Sequence, residues 1–104
     1  TCIIVGRCSD FILADDPNQL RIYIYAPYEA RVANCVNDLN MDEEDARKMI
    51  RAVDEARDHY HMHYAGFLPN DQRFKEIMID SSMLGTEGTA DYLVDAVKRK
   101  FELD

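Results

Sequence analysis

Three short apolar runs, CIIV at 2–5, LRIYIYA at 20–26 and IMI at 77–79, are each closed by glycine, proline or polar residues. Between and after them come stretches whose apolar residues recur every three or four positions. Runs that are apolar at consecutive positions suit strands covered on both faces, and strands alternating with helices build parallel sheets with right-handed crossovers. The expected order is strand, strand, helix, helix, strand, helix, in an α/β fold with no internal repeat. Three strands make a thin sheet, and the first and third need neighbours that 104 residues do not supply. The run at 2–5 also opens without a cap or turn, so the chain is expected to form part of a single domain and to begin partway through it.

The helices are bounded by their own chemistry. A short helical turn is expected at 9–13, followed by the turn Asp15, Asp16, Pro17, Asn18. Pro27 suits a first helical turn, and Val32, Cys35, Val36 and Leu39 then repeat at helical spacing, ending near Asn40. Asp42 suits the N-cap of a longer helix in which Met49, Ile50, Val53, Ala56 and Tyr60 form the apolar stripe. On that helix Glu43 with Arg47, and Glu44 with Lys48, are favourable pairs one turn apart. Residues 65–73 read as a loop. Thr86 is the expected cap of the last helix, with Ala90, Leu93, Val94, Val97 and Phe101 on one face and Lys98, Arg99 and Lys100 at its negative end.

Charge narrows the partners. Twenty acidic against twelve basic side chains give a net charge of −8, which excludes a general attraction to nucleic acid or anionic lipid, so any bound anion must be held locally. No apolar run approaches the ~20 residues that cross a bilayer, and the first residues lack a charged signal-peptide start. Cys2, Cys8 and Cys35 form no CxxC pair and are odd in number, which fits a reducing, cytoplasmic setting.

Several residues have the chemistry of a site. Arg7, after Gly6 at the end of the first run, stands where open α/β sheets bind ligands and suits phosphate; the alternative is a surface ion pair with Asp10. Arg47, Arg51, Asp54 and Asp58 share one helical face, either solvated or functional, and Arg57 borders the buried side. His59 and His63 project together within HYHMH, but no HExxH or third ligand is fixed, so no metal site is assigned. Cys8 follows an arginine, which favours some acidity, yet no orienting partner is identified. Neither GxxxxGK[ST] nor GxGxxG occurs, and Gly85-Thr86-Glu87-Gly88 reads as a tight turn.

Together IIVGR (3–7), IYAPYEAR (24–31), D-x-x-R-x-x-Y-x-x-x-Y-x-G (54–66) and IDSS with LGTEG (79–88) resemble the C-terminal half of cytidylate kinase-like proteins, in the P-loop nucleoside monophosphate kinase group. The resemblance implies a Rossmann-like three-layer fold of parallel strands and flanking helices, with a helical lid at about 42–66. It implies transfer of the γ-phosphoryl of MgATP to CMP, dCMP or a related acceptor. By position, Arg57 would be the catalytic lid arginine, and Arg7 would contact the acceptor nucleotide or its phosphate. Arg31 would lie near the nucleotide, and Asp54 or Asp58 would hold the ribose or orient Arg57. Ser82 and Gly85 would border the adenine pocket. Cytidylate kinases carry an aspartate after the Gly-Arg pair where this sequence has Cys8, which leaves the acceptor open. The phosphate-binding loop and its lysine belong to the family's N-terminal half, so these 104 residues alone are expected to be inactive and to bind no ATP or magnesium. A homo-oligomer or chain exchange through an open sheet edge is the expected partner arrangement. The alternative is a non-catalytic interaction module on a kinase-derived scaffold.

Overall fold

The computed structural model describes residues 2–6 and 8–103. Its elements in order are α1 (Ser9–Ile12), β1 (Ile22–Tyr25), α2 (Tyr28–Asp38), α3 (Glu43–Ala65), a 3₁₀ turn (Gln72–Phe74), β2 (Ile77–Asp80) and α4 (Ser81–Lys100). β1 and β2 pair in parallel, with Ile22 opposite Ile77 and Tyr25 opposite Asp80, so α2 and α3 together form the crossover. The architecture is mixed α/β: four helices and a two-stranded parallel sheet.

The third expected strand does not form. Residues 2–5 join no ladder, and Ile3 is 94% and Val5 86% exposed. A strand covered on both faces needs hydrogen-bonding neighbours and layers above and below. Among the described residues none supplies a ladder for this segment, and its side chains are exposed, Ile4 by about half.

Local signals set the helix ends. The Asp42 carboxylate accepts from the Glu44 N–H at 3.2 Å, which caps α3, and Gly66 closes that helix with a left-handed φ of 82°. Asp80 ends β2 and caps α4 by accepting from the Ser82 N–H at 2.8 Å. The last helix therefore starts five residues before the expected Thr86 cap. The break expected there does exist: Gly85 has φ 74° and ψ 176°, a conformation essentially confined to glycine, and kinks α4. A side chain at Gly88 would meet the Leu84 Cβ at 3.0 Å, so glycine lets the two segments approach.

Most of the buried side chains gather in two small groups, and Ile79 of β2 and Thr89 of α4 are buried as well. Val32 of α2 and Ala46 and Ile50 of α3 are buried, and these two helices pack together. At the far end of α3, Phe67 stacks on Phe74 at 3.8 Å between ring centroids and meets the edge of the His61 ring at 4.7 Å, with Phe11 at 6.3 Å. The radius of gyration is 15.3 Å, against about 13 Å for a compact chain of this length. The accessible surface is 7941 Å², where roughly 6,000 Å² is typical for this mass. Ile24, Met78, Met83 and Tyr92 are among the large apolar side chains left exposed. No described helix is long and apolar enough to cross a membrane.

Candidate functional site

The crossover places α3 beside the carboxyl ends of β1 and β2, and which side of α3 faces inward decides what the site contains. At about 100° per residue, Ala46, Ile50, Asp54, Arg57 and His61 fall within about 80° of one another. Burial follows this face at its two ends: Ala46, Ile50 and His61 are buried. Its middle, Asp54 and Arg57, opens on a cleft. The expected apolar stripe is rotated about 70° away, and Met49, Val53 and Tyr60 are accordingly exposed at 37%, 37% and 46%. The inward face thus lies between the apolar stripe and the charged face, and takes residues from both.

The cleft has a volume of about 480 Å³. Tyr23, Ile24, Tyr25 and Ala26 from the end of β1, with Ser81 following β2, form one side. Arg31 and Asn34 of α2 form another, and Asp54, Arg57 and Asp58 of α3 a third, with Pro69 and Asn70 at the rim. The carboxyl ends of parallel strands are where open α/β sheets hold ligands, and the volume suits a nucleotide-sized molecule.

One ion pair organises its charge. Arg31 donates from its two terminal nitrogens to the two carboxylate oxygens of Asp54, at 2.8 and 2.6 Å. These bonds hold the Asp54 carboxyl below the usual carboxylate range and raise the Arg31 guanidinium. Arg57, one turn along α3, adds its charge to the lowering at Asp54. Among the described residues Arg57 and Asp58 make no ion pair within 4 Å. Ser81 closes the strand side by donating from its hydroxyl to the Tyr25 carbonyl at 3.3 Å.

Four residues singled out in the sequence, Arg31, Asp54, Arg57 and Asp58, thus line one cleft. Arg57 shares the face of the buried Ala46, Ile50 and His61 and is exposed where that face opens on the cleft. Arg47 stands apart from Asp54 and Asp58, bound to Glu29 at 3.0 Å and Glu43 at 2.9 Å with its guanidinium over the Tyr28 ring. Ser82 and Gly85 do not line the cleft: the Ser82 hydroxyl and N–H both engage Asp80, and Gly85 forms the kink of α4. Arg7 lies outside the described residues. Asp10, the partner named for it as the alternative, is buried and bound by His61 and Lys75. Burial, then the charge of Asp10, pushes the Cys8 thiol up, which corrects the expectation of an acidic cysteine. Among the described residues no three His, Cys, Asp or Glu side chains converge on a possible metal position.

The cytidylate kinase-like family model matches residues 1–83. The chain belongs to the cytidylate kinase-like family. A solved structure of an uncharacterized protein from Eubacterium ventriosum ATCC 27560 is similar to this cytidylate kinase-like chain, with 26% identity and a TM-score of 0.77. The alignment covers 92% of this chain and 54% of that one, so the chain spans about half the length of the structure it matches. No curated protein matches the chain.

Sequence reasoning missed other residues of this cytidylate kinase-like chain. Tyr23, Asn34, Asn70 and Ser81 reach the cleft from four separate segments, and no local spacing links them. His61 was readable in principle, because it continues the helical face of Ala46, Ile50 and Asp54.

Proposed function

We propose that this chain is the portion of a cytidylate kinase-like phosphotransferase that carries the acceptor cleft and the lid. The observation that supports this most is the convergence of Arg31, Arg57, Asp54 and Asp58 on one cleft at the carboxyl ends of two parallel strands. The substrate class is a nucleoside monophosphate such as CMP or dCMP, with MgATP as donor. Arg31 offers a planar fork that matches a phosphate of the acceptor, and Arg57 stands free of ion pairs among the described residues to meet charge on the transferred phosphoryl. Phosphoryl transfer relies on positioning and charge neutralisation, which is the chemistry two arginines in one cleft supply. Asp58 and Asn34 are acceptors placed for sugar hydroxyls. On this reading α3 and the turn after it form the lid over the phosphates, within a P-loop kinase three-layer fold, and Arg7 contacts the acceptor. Ser82 and Gly85 border the adenine side, near Ser81.

No metal position forms among the described residues, so no step is assigned to magnesium on this chain's side chains. The second reading is a non-catalytic binding module with the same cleft. A coupled assay with CMP, dCMP and UMP on the longest product of the gene separates the two. Turnover of a cytidine monophosphate supports the kinase, and inertness toward all three supports the module.

The outer edges of β1 and β2 have no neighbouring strand among the described residues, and Ile24 and Met78 are 53% and 40% exposed. We infer that these edges pair with further strands, in a second copy where no other segment fills them.

A further inference from the structure

We propose that Asp54 is a carboxylate latch on Arg31, occupying the guanidinium fork until a phosphoryl group of the ligand displaces it. This rests on the reading of the cleft as a nucleotide phosphate site, and it assigns Asp54 a different role from that of a ribose ligand.

The geometry is that of a substitute. Each terminal nitrogen of Arg31 meets one oxygen of Asp54, at 2.8 and 2.6 Å, in the two-pronged arrangement that phosphate also accepts. A carboxylate brings one negative charge to the fork, whereas a phosphate monoester brings up to two. The Asp54 side chain is 41% exposed on the cleft wall and its hydrogen bonds among the described residues go to Arg31, so little else holds it in place. Once displaced it has a second cation within reach, because Arg57 lies three residues on along the same helix and already acts on its charge.

The charge balance explains what the latch does. Arg31 and Arg57 against Asp54 and Asp58 leave the cleft with no net formal charge. A weak anion therefore finds no strong field, and a neutral nucleoside has no group with which to displace the carboxylate. Only a ligand that out-competes Asp54 for the fork gains the full interaction with Arg31, so Asp54 keeps the fork closed to weak anions and lowers the affinity of the phosphorylated nucleosides that do enter it. Asp54 is a positioning residue in this account, acting through Arg31.

Two readouts test it. In calorimetric titrations, Asp54→Asn is expected to bind CMP and inorganic phosphate about tenfold more tightly than the wild type, because the competing charge is gone. In the wild type, saturation with CMP is expected to raise the pH midpoint of the Asp54 ¹³Cγ resonance, because the carboxylate loses Arg31 and gains an anionic neighbour. Equal or weaker CMP binding by Asp54→Asn, with the wild-type midpoint unmoved, overturns the latch and leaves the cleft reading intact. Absence of CMP and phosphate binding to both proteins overturns the cleft reading and the latch with it. If the substitution unfolds the chain, the wild-type midpoint decides: a rise supports the latch and no change rejects it.

Discussion

The Nε2 atom of His61 lies 3.0 Å from each carboxylate oxygen of Asp10, although the two residues are 51 positions apart in the chain. Lys75 reaches the same carboxylate at 2.6 Å, and Nδ1 of His61 bonds to the Phe67 carbonyl, so both ring nitrogens face oxygens. Three segments are joined here: α1, the end of α3 and the approach to β2. All three side chains are at least nine-tenths buried, which makes the cluster sensitive to loss of any member. Asp10→Asn leaves the buried Lys75 ammonium without its counter-charge and His61 without its carboxylate partner. It is expected to cost about 3 kcal/mol, read as a lower urea midpoint at unchanged slope.

The same carboxylate gives a pH signature. Burial pushes the Asp10 pKa up, but the hydrogen bonds and charges of Lys75 and His61 outweigh it, and the net shift is downward. A depressed pKa stabilises the fold above the unfolded value, near 4, and that contribution is lost as pH falls through the folded value. The wild type is expected to lose stability more steeply than Asp10→Asn below about pH 4 in urea titrations at a series of pH values. Parallel curves would remove the cluster from the account.

Arg57 is exposed, so its role is separable from folding. In a full-length active enzyme, Arg57→Ala is expected to lower kcat by about 100-fold or more, with stability within about 0.5 kcal/mol of wild type. Rate assays beside thermal melts check this, and equal losses in both would assign Arg57 to structure.

The kink in α4 depends on one residue. Gly85→Ala forces a Cβ into φ 74°, ψ 176°, and a loss of about 1–3 kcal/mol is expected in chemical denaturation. The space around the site is open, so the cost is conformational rather than a clash.

Open sheet edges predict self-association. Light scattering over a concentration series is expected to show a dimer that Ile24→Lys weakens, since charge on an edge blocks pairing.

What the sequence discloses is mostly local. Asp42 and Asp80 sit where their carboxylates can reach an N–H two residues on, and Gly66 closes a helix; the Asp42 cap is legible from neighbours alone. The short turn at Ser9–Ile12 and both paired strands follow from runs a few residues long. The facing of α3 was not legible, because most of its apolar stripe, Met49, Val53 and Tyr60, is left exposed among the described residues, while the inward face carries Asp54 and Arg57 toward a cleft. Phe67, in a segment that reads as loop, is buried only because Phe74 and His61 meet it from other segments. The run at 2–5 looks like a buried strand, and the described residues provide no ladder for it. Of the cleft residues, Arg57 stands out from helical spacing at the border of the buried side, Asp54 and Asp58 lie on a face that spacing leaves as either solvated or functional, and Arg31 comes from motif resemblance.

The most direct test of the central claim maps CMP onto the protein by ¹H–¹⁵N correlation spectra, with cytidine as control. The account expects saturable shifts with CMP that centre on Arg31, Asn34, Asp54, Arg57 and Asp58, including the Arg31 and Arg57 side-chain signals, and weak shifts with cytidine. No saturable shift at about 10 mM CMP would contradict it. So would shifts gathered instead around Arg21, Glu76 and Lys100, in the depression at the amino ends of the strands.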